Sequence, residues 1–592
     1  MASSRTSIHA HSASSHDVPP SRPREKSKAL SALKTVVHHF KKHVGVGIIC
    51  AVGYFDPGNW SVDLQAGSSF GYRPMLFVIL LAGVVAIILQ VLAARLGCVT
   101  GLDLASHCRL LLHDHPRHPR LVRRLVLYPL YVLCEVAIIS TDLAELLGSA
   151  IGLCLVFPKL PLWAGVLLTG VDVFIFLIIG DPSRGNGRPV RLFEIVIILL
   201  VAVVFICFVI LLVRVGPNWP EAFLGFIPDA ALLQSNPNAV YTAIGIVGAT
   251  VMPHALFLGS FLSTQDRVSA APEPLPSPSP APQLTLRDRW RRLTRNLFTF
   301  SRSERDGLKD VRTRHGLREN NSMSFIRAHI NHGITDVVLS LLAVAVPINS
   351  AILILAATVF YSPTSTTAMG LFNMHSLIQT SLGSGAAFMF ALALVCSGQT
   401  ASVTATLAGQ IVSEGFILWN ISPFLRRLLT RLISLIPSMI VAVAFGKAGI
   451  NTLLVASQVA LSVVLPFVAF PLIYLTSSKT VMSVRRPPLE KRVEAAINSA
   501  HLPSNFSDSL PPPALYDHSS VVSPNGIITE EKKIDEMIEE APLKKLSALK
   551  DSEMIDFSSG YLFTVVAYAI WVVILAANFY AIAMLGMGET GQ

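Results

Sequence analysis

Two long apolar stretches of this chain are interrupted by a proline at the same relative place. Residues 44–68 are interrupted by the motif DPGN (56–59), and residues 239–262 by the motif MPH (252–254). Proline has no N–H, so the carbonyl four residues upstream loses its helical partner. In these two stretches the freed carbonyls belong to Gly53 and Ala249. Within a membrane, freed backbone is tolerated only where it is buried in protein or lines a cavity, so the pair predicts two broken helices around one site.

The composition places the chain in a membrane. Of its 592 residues, 52% are hydrophobic and only 14% are charged, which excludes a soluble enzyme. A spanning helix needs a run of ~20 apolar residues, and about eleven such runs are present. They lie at 44–68, 74–97, 125–154, 160–180, 191–214, 239–262, 334–360, 384–418, 428–446, 450–475 and 560–586. The predicted fold class is therefore an all-α polytopic membrane protein.

The positive charge indicates orientation and not nucleic-acid binding. The net charge is +10, but arginine and lysine are concentrated in the connections that follow even-numbered spans. The connections after odd-numbered spans hold almost none, apart from Arg73, Lys159 and Lys447. By the positive-inside rule, the N-terminus is expected in the cytoplasm and Gln592 outside. The seven cysteines are scattered singly, so no disulfide framework or zinc cluster is expected.

Three polar segments separate the predicted membrane regions. Their proline-rich and charged composition favours disorder, because it cannot bury enough apolar surface to fold alone. The predicted organisation is a cytoplasmic tail (1–42), six spans (43–265), a basic loop (266–326), four spans (327–476), a second loop (477–558), and the last span with an extracytosolic end (559–592).

The first ten spans suggest two five-helix halves, each opening with a broken helix. With an odd number of spans in each half, the second half must be inverted relative to the first, as in many secondary transporters. The eleventh span is interpreted as an appendage.

The residues at the two breaks form a candidate metal-ligand set. Asp56, Asn59 and the two freed carbonyls offer one charge and three neutral oxygens, and Met252 adds a soft sulfur. Mg²⁺ and Ca²⁺ prefer oxygen alone, whereas a thioether suits softer transition metals. The alternatives are structural: Asp56 caps the restarted helix or pairs with a base, and Met252 fills the core.

The third span carries three acids, Glu135, Asp142 and Glu145. Spacings of seven and three residues place them along one stripe of a helix. Intramembrane acid chains commonly form proton relays. The alternative is a structural ion-pair network with arginines of the ninth span. A further candidate is His254 beside the metal site, as a proton acceptor or a pore-lining hydrogen bonder. The arginines of the ninth span that would form the ion-pair network are Arg426, Arg427 and Arg431.

Six stretches of the chain resemble the Nramp family of proton-coupled divalent metal transporters. The resemblance implies a LeuT-type fold of two inverted five-helix repeats plus an eleventh helix. It also implies that the metal binds Asp56, Asn59, Met252 and the carbonyls of Gly53 and Ala249, and that Gln458 joins in some states. In the family, acids and arginines at the places noted above line a proton route. The six stretches are 56–72, 93–105, 135–153, 248–260, 397–416 and 457–467.

Departures from the family pattern point to its fungal branch, whose members mostly import manganese. Ala255 follows the MPH motif where asparagine is usual, and the usual histidine near Ser260 is absent. The expected function is import of Mn²⁺, with Fe²⁺ or Co²⁺ as further cargo, into the cytosol with protons. No cofactor is implied, and the expected partners beyond the metal and protons are membrane lipids. The family analogy also implies ubiquitin-ligase adaptors that act on lysines of the cytoplasmic tails and loops.

Other functions remain as alternatives. One is a transporter of an organic solute, although Asp56 would repel a substrate carboxylate and Met252 would have no purpose. Another is a non-transporting metal sensor or scaffold. A channel is excluded because the Val-Gly-Tyr of 52–54 lacks the rest of a potassium filter. Enzyme activity has no support from any nucleophile–base pair or phosphate loop. The sequence leaves the plasma membrane and an endosomal or vacuolar membrane as alternatives.

Overall fold

The computed structural model describes residues 44–179, 191–230, 232, 237–269, 320–361, 370–418, 423–485 and 554–586. The predicted tail 1–42, most of the loops 266–326 and 477–558, and the last residues 587–592 lie outside the described residues.

Helices make up nearly all of the described structure, and each predicted span falls on helical residues. In chain order the helices are α1 (Val46–Val52), α2 (Pro57–Phe70), α3 (Met75–Thr100), α4 (Leu104–Leu112), α5 (Pro119–Val122), α6 (Tyr128–Val156), α7 (Leu162–Ile179), α8 (Arg191–Val215), α9 (Trp219–Leu224), α10 (Pro237–Thr250), α11 (Pro253–Leu262), α12 (Met323–Ser340), α13 (Val346–Phe360), α14 (Leu371–Leu382), α15 (Ser384–Ile417), α16 (Pro423–Ala444), α17 (Gly446–Ser477), α18 (Lys479–Met482) and α19 (Tyr561–Gly586).

Among the described residues, seven helical segments are long and apolar enough to cross a membrane. The first predicted span does not count as one segment because it is split into α1 and α2. The third and ninth spans carry charges, three acids in α6 and several arginines in α16. The ninth span contributes a shorter apolar helical stretch, Leu428–Ala444.

Two helices contain a wider turn where a proline follows. A π-helical turn at Arg123–Leu127 leads into α6, which has Pro129 in its first turn, and another at Leu341–Ala345 joins α12 to α13 before Pro347. The seventh span is consequently one long bent helix. It begins at Met323, earlier than the predicted 334, because the Ser322 side chain accepts a hydrogen bond from the Phe325 N–H and caps it.

The predicted disordered loop 477–558 has regular structure at both ends, which corrects the sequence-based boundaries. Strand β1 (Ser483–Arg485) pairs antiparallel with β2 (Met554–Asp556), with Val484 opposite Ile555. The Arg95 side chain of α3 donates to the Phe557 carbonyl at 2.7 Å. Composition favoured disorder here, but pairing with a distant segment supplies hydrogen bonds that local sequence does not reveal.

The middle of the bundle is formed by helices that contact many others. Helix α15 packs against α6, α8 and α4, and α2 packs against α13. Helix α19 packs at the edge against α17, α10 and α3. This arrangement buries both breaks, since every residue from Ile49 to Leu64 and every residue from Gly248 to Ser260 lies in the interior.

Candidate functional site

The first break (residues 53–56) separates α1 from α2, as the proline motif predicts. Pro57 is the first residue of α2, where its missing N–H costs nothing. Asp56 is the N-cap, and its Oδ1 accepts a hydrogen bond from the Asn59 N–H at 2.9 Å. The capping role that sequence analysis kept as an alternative for Asp56 is therefore present, and it occupies only one carboxylate oxygen.

Side chains from three directions hold the carbonyls of the first break. Asn349 of α13 donates to the Tyr54 carbonyl at 2.7 Å. The Phe55 carbonyl accepts from Ser397 of α15 at 2.7 Å and from the Trp60 indole at 2.9 Å. By contrast, no donor to the Gly53 carbonyl is found among the described residues. That carbonyl is the one predicted to be freed by Pro57.

The second break (residues 251–252) separates α10 from α11. Met252 is the N-cap of α11, is fully buried, and makes no side-chain capping hydrogen bond. The described part of the chain offers no backbone N–H to the Ala249 carbonyl, which Pro253 frees. Met252 and this carbonyl are thus available for another role.

The two breaks lie against each other. A methyl group built on Gly53 would be 3.4 Å from both the Ala255 Cβ and the His254 Nε2. Helix α1 also packs against α11, and α2 against α10. The carbonyl end of one half-helix therefore meets the start of the other, as the sequence predicted.

Gln458 of α17 reaches the same place. A Cβ on Gly58 would overlap the Gln458 amide nitrogen, and it would lie 3.1 Å from the Asp56 Oδ2. Only a glycine at position 58 leaves room for this amide beside the carboxylate. The structure thus brings Asp56 and Gln458 together, although they are far apart in sequence.

Several buried polar atoms of this cluster have no hydrogen-bond partner. Buried polar groups are normally hydrogen-bonded, so a concentration of unpartnered atoms indicates space for a ligand. No group of three or more His, Cys, Asp or Glu side chains able to hold a metal occurs in the described ranges. A metal here would depend on one carboxylate plus neutral and sulfur ligands. The unpartnered atoms are Asp56 Oδ2, Asn59 Nδ2, His254 Nε2 and Gln458 Oε1.

The three acids of α6 differ in their pairing. Asp142 lies 2.6 Å from the Arg431 guanidinium and also accepts a hydrogen bond from Ser434. Glu135 lies 2.6 Å from the Arg426 guanidinium. The ion-pair alternative therefore holds for these two acids. The backbone of Arg427 lies in α16, and its side chain is outside the described structure.

Glu145 has no partner for either carboxylate oxygen and is fully buried. It lies within electrostatic range of Asp56, Asp142 and Arg431. Pro57 packs directly on Gly148, one turn along α6 from Glu145. Glu145 is thus the one of these three acids of α6 that has no ion-pair partner among the described residues.

His254 links the second break to α6. Its Nδ1 lies 3.4 Å from the Thr141 hydroxyl, and Thr141 directly precedes Asp142. The remaining ring nitrogen is unpartnered and faces Gly53. Both interpretations of His254 made from the sequence, hydrogen bonder and proton acceptor, are compatible with this placement.

Gln90, a fully buried residue of α3, was not among the site residues predicted from the sequence. Its Oε1 accepts from the Tyr54 hydroxyl at 3.2 Å, and its amide donates to the Ala255 carbonyl at 3.3 Å. It therefore ties both breaks together. An available signal was its isolation, since a lone amide in the run VAIILQVLAA requires a partner inside the bundle.

Together, these features define a helical membrane protein with a buried cluster of unpartnered polar atoms between two broken helices. The family model described as "Natural resistance-associated macrophage protein-like" (Nramp) matches residues 47–497. The chain belongs to the Nramp family. It is an integral multi-pass membrane protein and a transporter, not an enzyme.

Relatives of known name agree with this assignment. The manganese transporter pdt1 of Schizosaccharomyces pombe is 35% identical over 93% of this chain and 87% of its own length. The manganese transporter SMF1 of Saccharomyces cerevisiae is 34% identical over 94% of this chain and 88% of its own length. The iron transporter SMF3 of the same yeast is 32% identical, covering 93% and 98%.

A solved structure of the Eremococcus coleocola manganese transporter superposes with a TM-score of 0.59 at 26% identity, covering 93% of this chain and 95% of that one. The fold is of the LeuT type, with two inverted five-helix repeats and an eleventh helix, as predicted. The relatives named above transport metals, so they give no support to the organic-solute alternative.

Proposed function

We propose that this protein imports divalent transition-metal ions into the cytosol by proton-coupled alternating access, with Mn²⁺ as the favoured ion. The observation that carries the proposal is the buried Asp56 Oδ2, which has no hydrogen-bond partner of normal geometry among the described residues and lies close to the Gln458 side-chain amide. A buried charge is costly unless it is paired or binds a metal. A cation between the two breaks would supply the missing partner.

In this proposal the ligands are Asp56, Asn59, Met252 and the carbonyls of Gly53 and Ala249, joined by Gln458. The set carries a single negative charge and one thioether, so it favours Mn²⁺, Fe²⁺ or Co²⁺ over Ca²⁺ and Mg²⁺. The names of the fungal relatives support manganese first and iron second.

For the coupling protons we propose a route through α6. Glu145 is the leading proton acceptor, since it is buried, has no hydrogen-bond partner and interacts electrostatically with Asp56. Asp142, held by Arg431, would pass the proton on, and His254 would connect this stripe to the metal site through Thr141. Glu135 is already paired with Arg426 and is assigned no step.

The positive-inside distribution supports a cytoplasmic N-terminus for the proposed import direction. The plasma membrane and an endosomal or vacuolar membrane both fit this orientation. The proposed ubiquitin-ligase adaptors would act on loops outside the described residues. Substitution of those loop lysines should lengthen the lifetime of the protein when metal is abundant.

The test is Mn²⁺ uptake into proteoliposomes under an inward proton gradient. Wild type should show saturable uptake that Asp56→Ala abolishes, and Met252→Ala should newly pass Mg²⁺ or Ca²⁺. Absence of wild-type uptake, or normal transport by Asp56→Ala, would reject the proposal and favour the metal-sensor alternative. A pH-sensitive dye inside the vesicles adds the proton arm: Glu145→Gln should move less acid per Mn²⁺ than Glu135→Gln.

A further inference from the structure

Helix α17 contains two prolines, Pro466 and Pro471, of the kind that creates the two breaks. Pro466 lies within this helix, so the carbonyl of Ser462, four residues upstream, has no backbone donor. Helix α17 nevertheless continues without a break to Ser477. Something other than the backbone of α17 must satisfy this carbonyl, because an unpartnered one at membrane depth is costly.

The donor comes from α19. The Asn578 side-chain amide donates to the Ser462 carbonyl at 2.8 Å, and its Oδ1 accepts from the Ser462 hydroxyl at 2.6 Å. One turn further along α17, the Pro466 carbonyl accepts a hydrogen bond from the Trp571 indole of α19 at 2.9 Å. Two side chains of the last helix therefore bind the backbone of α17 on either side of its proline bend.

Asn578 differs from its surroundings on α19. It is only 5% exposed, whereas the adjacent Phe579 is 68% exposed and faces outward. Helix α19 is otherwise apolar, and a polar residue in such a helix normally has a specific partner in the bundle. The partner here is the backbone at a proline bend.

Ser462 connects this contact to the candidate metal site. It lies four residues after Gln458, so the two share one face of α17. It also presses on Gly248 of α10, where any Cβ would overlap its side chain. Gly248 directly precedes Ala249, whose carbonyl is a proposed ligand. A shift of Ser462 would therefore move Gln458 and the end of α10 together.

We infer that Asn578 is a positioning residue for the metal site: it replaces the backbone donor that Pro466 removes. By fixing the bend of α17, it holds Gln458 beside Asp56 and α10 against α17. The eleventh helix is then a brace for the site and not an appendage. This inference has two tests: the one that measures metal uptake rests on the proposed function, and the one that measures hydrogen exchange does not.

The experiment is a double-mutant cycle of Asn578→Ala and Pro466→Ala in the full-length protein. Alanine at 466 restores the N–H that the Ser462 carbonyl needs, so the side chain at 578 becomes redundant. Asn578→Ala alone should speed amide hydrogen exchange in residues 459–475 about tenfold, the effect of one unsatisfied buried group. In the Pro466→Ala background, Asn578→Ala should add little or nothing.

Mn²⁺ uptake gives the second readout. Asn578→Ala should raise KM about tenfold with a smaller change in kcat, because it displaces a ligand without removing Asp56. Phe579→Ala, on the outward face of the same turn, is the matched control and should change neither exchange nor KM. Ser462→Ala keeps the carbonyl and should have a weaker effect than Asn578→Ala.

Equal acceleration of exchange by Asn578→Ala in both backgrounds would overturn the inference, as would no acceleration at all. If Pro466→Ala itself abolishes uptake, the inference is still tested by comparing the effect of Asn578→Ala on hydrogen exchange in the two backgrounds. If wild type transports no Mn²⁺ but Asn578→Ala speeds exchange only when Pro466 is present, the proposed function is wrong and the structural role of Asn578 is confirmed.

Discussion

The two breaks have the same origin in a proline but are held in different ways. At the first, the carbonyls of Tyr54 and Phe55 are bound by Asn349, Ser397 and Trp60, and Asp56 caps its own helix. At the second, Met252 has no capping hydrogen bond. The contacts that other helices make with the residues after Met252 are longer, from Thr141 to His254 at 3.4 Å and from Gln90 to the Ala255 carbonyl at 3.3 Å.

This difference indicates a division of roles. In the proposed mechanism, the first break is the more firmly held one and carries the Asp56 carboxylate, so we expect it to set where a cation binds and how strongly. The second is held by longer contacts and carries the soft sulfur, so we expect it to set which cation is preferred and to move more freely during alternating access. The following predictions test this division.

Loss of the charge should have the largest effect. Asp56→Asn keeps an oxygen that can cap α2, since asparagine is a good N-cap, but removes the charge that binds the cation. Mn²⁺ uptake should fall about a hundredfold or more, as expected when one partner of a buried charge pair is lost. The thermal unfolding temperature should stay close to that of wild type, whereas Asp56→Ala should lower it. Uptake near the wild-type level in Asp56→Asn would contradict the role assigned to the charge.

Loss of the sulfur should change selectivity more than affinity. In Met252→Ala, uptake of Mn²⁺ should fall about tenfold, in line with the loss of one ligand interaction. Competition by Ca²⁺ and Mg²⁺ should become measurable because an oxygen-only site no longer disfavours them. The check is inhibition of Mn²⁺ uptake by each ion, with Met439→Ala on α16 as a control outside the site. Unchanged selectivity would mean that Met252 is core packing.

The bracing of the first break should appear as stability. Asn349→Ala leaves the buried Tyr54 carbonyl without its donor and should cost about 1–3 kcal/mol in unfolding free energy. Thr141→Val, which removes the longer contact to His254, should cost about 1 kcal/mol or less. Thermal unfolding in detergent compares the two. A larger cost for Thr141→Val would reverse the assignment of the rigid and the weakly held break.

The smallest effect is expected at Gly53. A methyl group there would meet Ala255 and His254 at ordinary contact distance, so Gly53→Ala should change Mn²⁺ uptake less than about threefold. Gly58→Ala is the informative partner, because its methyl group would displace Gln458 from Asp56. Uptake by the two variants under the same gradient tests this contrast. Equal loss in both would show that contact between the breaks, and not the Gln458 position, limits transport.

Much of the fold and the site could be predicted because the physics involved is local. A proline frees a carbonyl four residues away whatever surrounds it, so Gly53 and Ala249 follow from the sequence alone. Long apolar runs locate the spans, and acid spacing places Glu135, Asp142 and Glu145 on one stripe. The start of α12 at Met323 and the strands that bound the loop 486–553 were not foreseen, since their stabilising contacts involve a cap or a distant segment.

The sequence by itself determined that this protein spans a membrane with two broken helices and a carboxylate, Asp56, at one of the breaks, because helix breaking and apolar run length depend on neighbouring residues only. Tertiary structure alone decided which polar groups remain free. It paired Glu135 and Asp142 with arginines but left Glu145 and the Asp56 Oδ2 without partners. It also placed Asn578 on the carbonyl freed by Pro466. Partners in a helical bundle are set by packing between helices far apart in the chain, and no local pattern encodes that packing.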